Sequence, residues 1–408
     1  MTDAANQSQA GLFEKFLGRL LGRLPIGWLQ LTHNKSRLAA AIAGVSFANI
    51  LVFMQLGFLG ALIDSIRLPY EQFNAQVMIS GSDANTLADG SPLPRQRMIE
   101  ALAVPGVESA TPLFIGSIDW KQADGSIRSL MVFGIDPSDS GRSTNTFNND
   151  EINRTLPRIA LSDYALLDRK TRNVPKPVIN ALSVGEPVTF ETRGRTLTVT
   201  GTFEIGGGFS TDGYMVVSDQ TFLKLFPQRV SAAPNHVLLT LATDADSDRT
   251  IHQLRQKLPR YDSVVRTIDE AVAADQSFQT TQKPVGLIFG FGVVIGIIVG
   301  VIIVYQILST DVADHLREYA TFKAIGYSNR FFTGLVLEEA VALAILGFVP
   351  AVFISLALYA GVRSATGLPV EMPFERLVIV LLGTIVMCTL SGLIATRRLA
   401  NANPADLF

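Results

Sequence analysis

Cysteine is all but missing. The only one, Cys388, lies inside an apolar run, so no disulfide can close within this chain. Histidine is nearly as scarce: His33, His236, His252 and His315 are scattered, with no H-E-x-x-H and no paired cysteines, so the sequence offers no metal site. No G-x-x-x-x-G-K-[ST] occurs, which removes the phosphate cradle that an ATP-hydrolysing chain needs. The triple glycine Gly206, Gly207, Gly208 stands between an extended run and a turn, and is a loop rather than a nucleotide site. Without a G-x-S-x-G elbow there is no support for a serine hydrolase. Charge is sparse too, at 17% of residues with a formal net charge of −2, so nothing suggests a nucleic-acid surface. An enzyme active site has no sequence support, and no cofactor or metal is expected in this chain.

What is abundant is apolar length. Mean hydropathy is +0.31 and 48% of the chain is hydrophobic. Residues 38–63, 285–308, 340–361 and 377–395 contain no Asp, Glu, Lys or Arg, and each is near the roughly 20 residues that cross a bilayer as a helix. Four spans are predicted, at 38–63, 285–308, 334–361 and 377–395. The polar groups in the first, Asn49 and Gln55, are modest; an ion path through it would need ionisable residues, which disfavours a secondary transporter. The mostly polar residues 1–37 and the length of the first run argue for a retained anchor, not a cleaved signal peptide. Cations flank the spans on one side: Lys35 and Arg37, then Arg317, Lys323 and Arg330, then Arg397 and Arg398. The positive-inside rule puts both termini and the 309–333 loop in the cytoplasm, with 64–284 and the short 362–376 loop outside and 396–408 as a cytoplasmic tail.

Within residues 1–37, Phe13, Phe16, Leu17, Leu20, Leu21 and Leu24 recur at helical spacing opposite Lys15, Arg19 and Arg23. That pattern predicts an amphipathic helix lying on the membrane surface, or packed on a soluble partner. The outward region reads as α+β. "RQRMIEAL" is helical, "SATPLFIGSIDW" extended, "NHVLLTLA" a strand and "SDRTIHQLRQKL" a capped helix. "EPVTFETRGRTLTVTGTF" alternates about Arg193-Gly194 as a hairpin. Residues 80–94 and 136–150, rich in Ser, Gly, Asn and Asp, are expected to be exposed loops or mobile flaps. No convincing internal repeat is evident.

Three features bear on mechanism. Gly292, Gly296 and Gly300 place small residues on one face of the second span, which suits close packing against another helix, the first span of a second copy being one candidate. Glu338 and Glu339 stand where the loop meets the third span; they either snorkel to the interface or serve a function inside the bundle. Third, "DVADHLREYATFKAIGYSNR" is a charged loop whose helical reading puts Leu316, Tyr319 and Ala320 on one face, with Phe322 and Ile325 projecting elsewhere. Gly326 suits a left-handed cap and Ser328 a new helix start.

"LREYATFKAIGYSNRFFTGLVLEEAVALAILG" resembles the R-E-x-[AG]-x-x-[KR]-A-[IVL]-G segment, with its following glutamate-alanine pair, of the MacB/FtsX/LolC superfamily of ABC transporter permeases. "PGVESATPLF", "VFGIDP", the hairpin and the closing "ATRRLANANPADLF" are similar to other parts of it, and residues 28–65 are most similar to DevC-type permeases. The resemblance implies a MacB-like type VII fold: four transmembrane helices plus a large α+β extracytoplasmic domain. It implies a permease that transmits the motion of a separate ABC ATPase dimer, which binds the ATP and magnesium, and that works as a homodimer in the bacterial inner membrane. A periplasmic membrane-fusion adaptor and an outer-membrane TolC-like duct would complete a tripartite efflux system for a lipid-like or other amphiphilic substrate. Arg317, Glu318, Thr321, Lys323, Ala324 and Gly326 match the coupling-helix motif, and Glu339-Ala340 the pair after it; Tyr319 and Phe322 stand where aliphatic residues are usual. FtsX-like control of a cell-wall hydrolase and lipoprotein release are the alternatives within the superfamily.

Overall fold

The structure, a computed structural model, describes residues 26–122, 125–137 and 146–400, with the backbone alone at 26, 316, 317, 320, 324, 329 and 397–400. The predicted amphipathic helix of Phe13, Phe16, Leu17, Leu20, Leu21 and Leu24 lies outside the described residues. The chain divides into two compact units. One holds the described residues of 26–59, 288–361 and 371–400, and the other Gly60–Leu287 with Val362–Val370.

The first unit is helical because its sequence is apolar almost all round. Lys35–Glu71, Pro284–Asp314, Asn329–Thr366 and Phe374–Ala400 are long helices, and each contains a stretch long and apolar enough to cross a membrane. They exceed the predicted spans, since polar residues beyond an apolar core can continue the same hydrogen-bond ladder. Val45, Val304, Leu308, Ala344 and Cys388 form one buried cluster, and Phe53, Ala351 and Val380 another. Phe291, Phe353 and Ile379 are more than 60% exposed on these helices. So much exposed apolar surface on helices of this length is stable only against lipid. Inside, Ser46 and Asn49 find partners: Ser46 Oγ donates to the Gly347 carbonyl at 2.9 Å, and Thr384 Oγ1 to Asn49 Oδ1 at 2.7 Å.

The second unit is built on a nine-stranded sheet. Its strands are β1 (Val77–Gly81), β2 (Val107–Lys121), β3 (Ile127–Ile135), β4 (Tyr164–Asp168), β5 (Val188–Thr192), β6 (Arg195–Phe203), β7 (Gly213–Ser218), β8 (His236–Leu241) and β9 (Ser263–Thr267). They lie in the order β5-β6-β4-β7-β3-β2-β8-β1-β9, with β3·β7 and β4·β6 parallel and the other pairs antiparallel. β2 joins two lobes: Val107–Leu113 pairs with β8, and Phe114–Lys121 with β3. Phe114, Trp120, Met215 and Phe222 fill one core; Val77, Leu93, Leu239 and Leu254 fill the other. The fold is thus four transmembrane helices plus a large α+β domain.

The hairpin β5–β6 turns on Arg193 and Gly194, with φ of 49° and 70°. Two consecutive positive φ values are what a two-residue hairpin demands. The loop at 80–94 is exposed at Ser82, Asp83, Asn85, Ala88, Ser91, Pro92 and Pro94, as expected, but it turns Ala84, Leu87 and Leu93 inward, each at most 3% exposed. Its polar residues bond within the loop, Asp83 accepting from the Ser91 amide and hydroxyl at 2.8 and 2.7 Å, and Asp89 from the Asn85 and Thr86 amides at 2.8 and 2.6 Å. Of the second predicted flap, 138–145 lie outside the described residues, and Phe147 is buried. Val370, expected in a free loop, is 1% exposed within this unit, and its carbonyl accepts from Arg363 Nη2 at 2.6 Å.

Candidate functional site

The second spanning helix ends at Asp314, and after His315 the nine-residue helix Leu316–Ala324 begins. Glycine closes it. Gly326 has φ 105°, its amide donates to the Lys323 carbonyl at 3.1 Å, and the Tyr327 amide donates to the Phe322 carbonyl at 3.1 Å. These bonds make a Schellman motif, and its left-handed residue is the reason for glycine. The accompanying apolar contact is Phe322 against Tyr327, with ring centroids 5.6 Å apart.

Tyr319 seats this helix. It is 2% exposed among Val312, Phe332, Leu335 and Val336, its ring 5.5 Å from that of Phe332. Burial raises its phenol pKa, and the carboxylates of Glu339, Asp311 and Glu318 add to that. Phe322 joins the same cluster, because the turn at Gly326 brings Tyr327 and Phe331 over it; the sequence reading had set it on a different face. Glu318, Thr321 and Ile325 are exposed and Lys323 is half-buried. Arg317 and Ala324 belong to the helix, but their side chains lie outside the described residues.

Glu338 and Glu339 separate in role. Glu338 Oε1 accepts from the Trp28 amide at 3.4 Å and is half-buried. Glu339 is 0% exposed, and neither of its oxygens has a hydrogen-bond partner, so it does not snorkel. Gly27 backs onto it: a Cβ there would stand 3.0 Å from Glu339 Cγ. In the same unit Arg37 bridges Asp311 at 3.2 Å and Asp314 at 2.6 Å, tying the start of the first spanning helix to the end of the second.

The glycine stripe is filled from within the chain. A Cβ at Gly292, Gly296 or Gly300 would come within 2.3 Å of Gln55, 3.1 Å of Val52 and 2.4 Å of Met387 respectively. These glycines let the chain's own first and fourth spanning helices approach, so they are not a free face for a second copy.

A second titratable group, which the sequence did not flag, lies in the α+β unit. Thr267 and Glu270 form a capping box that starts the helix Ile268–Thr281, on which Asp275 lies. Asp275 is 4% exposed; its Oδ2 accepts from Tyr70 Oη and from the Leu87 amide, each at 3.0 Å, while Oδ1 has no hydrogen-bond partner. Burial pushes its carboxyl up to about 6, against the pull of the Leu87 amide, Tyr70 and Gln279. The Leu87 carbonyl is held by His236 Nε2 at 2.8 Å, and His236 Nδ1 meets Ser80 Oγ at 2.7 Å. His236 is 1% exposed, and burial pushes it down to about 4, so it is a neutral imidazole with both nitrogens used. Leu87 is therefore gripped at both its amide and its carbonyl.

Among the described residues, no group of three or more His, Cys, Asp or Glu side chains could hold a metal ion. Residues 290–404 match the FtsX-like permease C-terminal family. That segment, just over a quarter of the chain, contains the short helix, its Schellman cap and the buried Glu339. Among solved structures, the periplasmic region of MacB from Actinobacillus actinomycetemcomitans is 14% identical with a TM-score of 0.33, covering 52% of this chain and 96% of that one. The extracellular domain of the noncanonic ABC-type transporter YknZ from Gram-positive bacteria is 11% identical with a TM-score of 0.30, covering 47% of this chain and 98% of that one. No curated protein sequence matches this chain.

Proposed function

We propose that this chain is the permease subunit of an ABC transporter, receiving the motion of a separate ATPase through the helix Leu316–Ala324. One observation carries this reading. Inside the FtsX-like segment, a short helix is locked to the spanning helices by Tyr319 and Phe322 while Glu318, Thr321 and Ile325 remain exposed. A surface helix with no other task would not pack two aromatic rings against the bundle to hold an exposed face, with a large apolar Ile325 on it, in place. The positive residues near the spans support placing this helix and both termini in the cytoplasm, and the α+β unit outside the inner membrane. The ATPase would bear on the exposed face, and two permease copies would relay the motion to the external domains. There, with an adaptor and an outer-membrane duct, a lipid-like or amphiphilic substrate is moved outward.

The test replaces Glu318 and Lys323 together with alanine. Membrane insertion should be unchanged, while copurification of the ATPase and ATPase stimulation by the permease fall at least tenfold. Unchanged copurification and unchanged stimulation would sink the coupling role.

A further inference from the structure

Asp275 lines a cavity of about 50 Å³. One water needs roughly 10–15 Å³ on that measure, so the space admits several waters or a small polar headgroup. We propose that this cavity is a binding subsite for a primary ammonium group, with Oδ1 of Asp275 as its anchor.

The unpartnered oxygen is the first reason. Tyr70 and the Leu87 amide both bond Oδ2, and the one other side-chain donor acting on the carboxyl, Gln279, is neutral, so Oδ1 is open to a charged N–H group, whose bond to a carboxylate is stronger than that of a neutral donor or water. The walls are the second. Phe209, Tyr214 and Met131 line the cavity, which is the aromatic and thioether company that a cation accepts. Among the described residues, the arginines that act on Tyr214 and Tyr70 are engaged elsewhere. Arg172 donates to the Gly208 carbonyl at 2.5 Å and pairs with Asp212 at 3.6 Å, and Arg266 donates to the Ala84 carbonyl at 2.9 Å. The groups acting on Asp275 are Asp89, Tyr70, Gln279 and the Leu87 amide, and none is positive. Metal ions are poorly served by one carboxylate with one free oxygen.

Binding itself follows from the geometry of this unit; its use as a substrate subsite, for the amine of an exported amphiphile, rests on the transport reading above. The experiment titrates n-butylammonium chloride, at constant ionic strength and pH 7.5, into the full chain in uncharged maltoside micelles and follows it by calorimetry. Saturable binding is expected. It should weaken at least tenfold in Asp275→Asn, in Met131→Trp, which fills the cavity without touching the carboxyl, and at pH 5 in the unaltered chain. n-Butanol, of the same shape without the charge, should bind at least tenfold more weakly. Absence of saturable binding, or equal binding by the alcohol, overturns the proposal, as does binding that Asp275→Asn leaves unchanged. If Asp275→Asn does not fold, Met131→Trp and the pH 5 titration decide. ATPase copurification is measured separately, so failure of either reading is visible by itself.

Discussion

Replacing Asp275 with asparagine should stabilise the protein at neutral pH and leave it nearly unchanged in acid. Asparagine keeps an oxygen for the Tyr70 hydroxyl and the Leu87 amide, the two donors at 3.0 Å, and removes only the charge. The folded chain holds the Asp275 proton up to about pH 6, against 3.8 for an ordinary aspartate. Between those values the folded state binds more protons than the unfolded one, so stability falls as pH rises: the contribution is whole below 3.8 and lost above 6. Two pH units correspond to about 3 kcal/mol. For a unit of about 240 residues that is a shift of about 6–12 °C in Tm. The assay is thermal unfolding of the full chain in nanodiscs at half-unit steps from pH 4 to 7.5, read as the variant's Tm minus the parent's. That difference should climb through the window and then level off, even if the new amide loses a degree or two everywhere by facing an apolar wall. A difference that stays flat from pH 4 to 7.5 would show that Asp275 is not a strained carboxylate, and the argument for the ammonium subsite would lose its energetic basis.

His236 should act in the opposite sense. Held down to about 4 against an ordinary 6.5, it contributes stability that is present above 6.5 and lost as pH falls toward 4, so His236→Gln should remove that acid-side loss in the same unfolding series. Because the Asp275 and His236 windows overlap, the unaltered chain should show a shallower pH dependence than either variant. Tyr319→Ala, which empties a site 2% exposed, should cost about 3–5 kcal/mol of local packing and speed hydrogen exchange in 316–326 at least tenfold, whereas Tyr319→Phe should not. Gly347→Leu should block assembly of the helical unit, since a Cβ there meets the stiff Val45 Cβ at 2.6 Å. Gly292→Leu should be tolerated better, since it meets the flexible end of Gln55 at 2.3 Å; protease resistance in micelles ranks the two.

The spanning helices and the β5–β6 hairpin were legible because their signals are local. An apolar run of span length and two turn residues between alternating strands need no distant partner to be read. The loop at 80–94 was legible only in part, for the converse reason. Ser82, Asp83, Asn85 and Ser91 are exposed as their composition suggests, but Asp83 and Asp89 also satisfy the loop's own amides, which lets Leu87 and Leu93 turn inward. Asp275 was invisible in "AVAADQSFQTT": its decisive partner, Tyr70, is 205 residues away. Glu339 likewise looked like a carboxylate at the membrane surface, and only the backing of Gly27 shows it enclosed. The 15-residue β2 read correctly as extended, but its division between two lobes depends on β3 and β8, which arrive later in the chain.

Nine residues make a poor helix in water, where isolated helices shorter than about 12–15 residues are marginal. Leu316–Ala324 must therefore draw its order from its two ends and from what it rests on. Gly326 fixes the far end, and Tyr319 and Phe322 fix the face toward Val312, Phe332, Leu335 and Val336. Such a helix cannot slide on its support without opening a well-packed aromatic cluster, and packed interiors shift as units rather than deform gradually. On the proposed coupling role, a force on Glu318 or Thr321 would pass to the end of the second spanning helix and the start of the third together. Tyr319 and Phe322 suit this seat because a large flat ring spans the gap between helix and bundle and buries more area than an aliphatic side chain with the same two rotatable bonds.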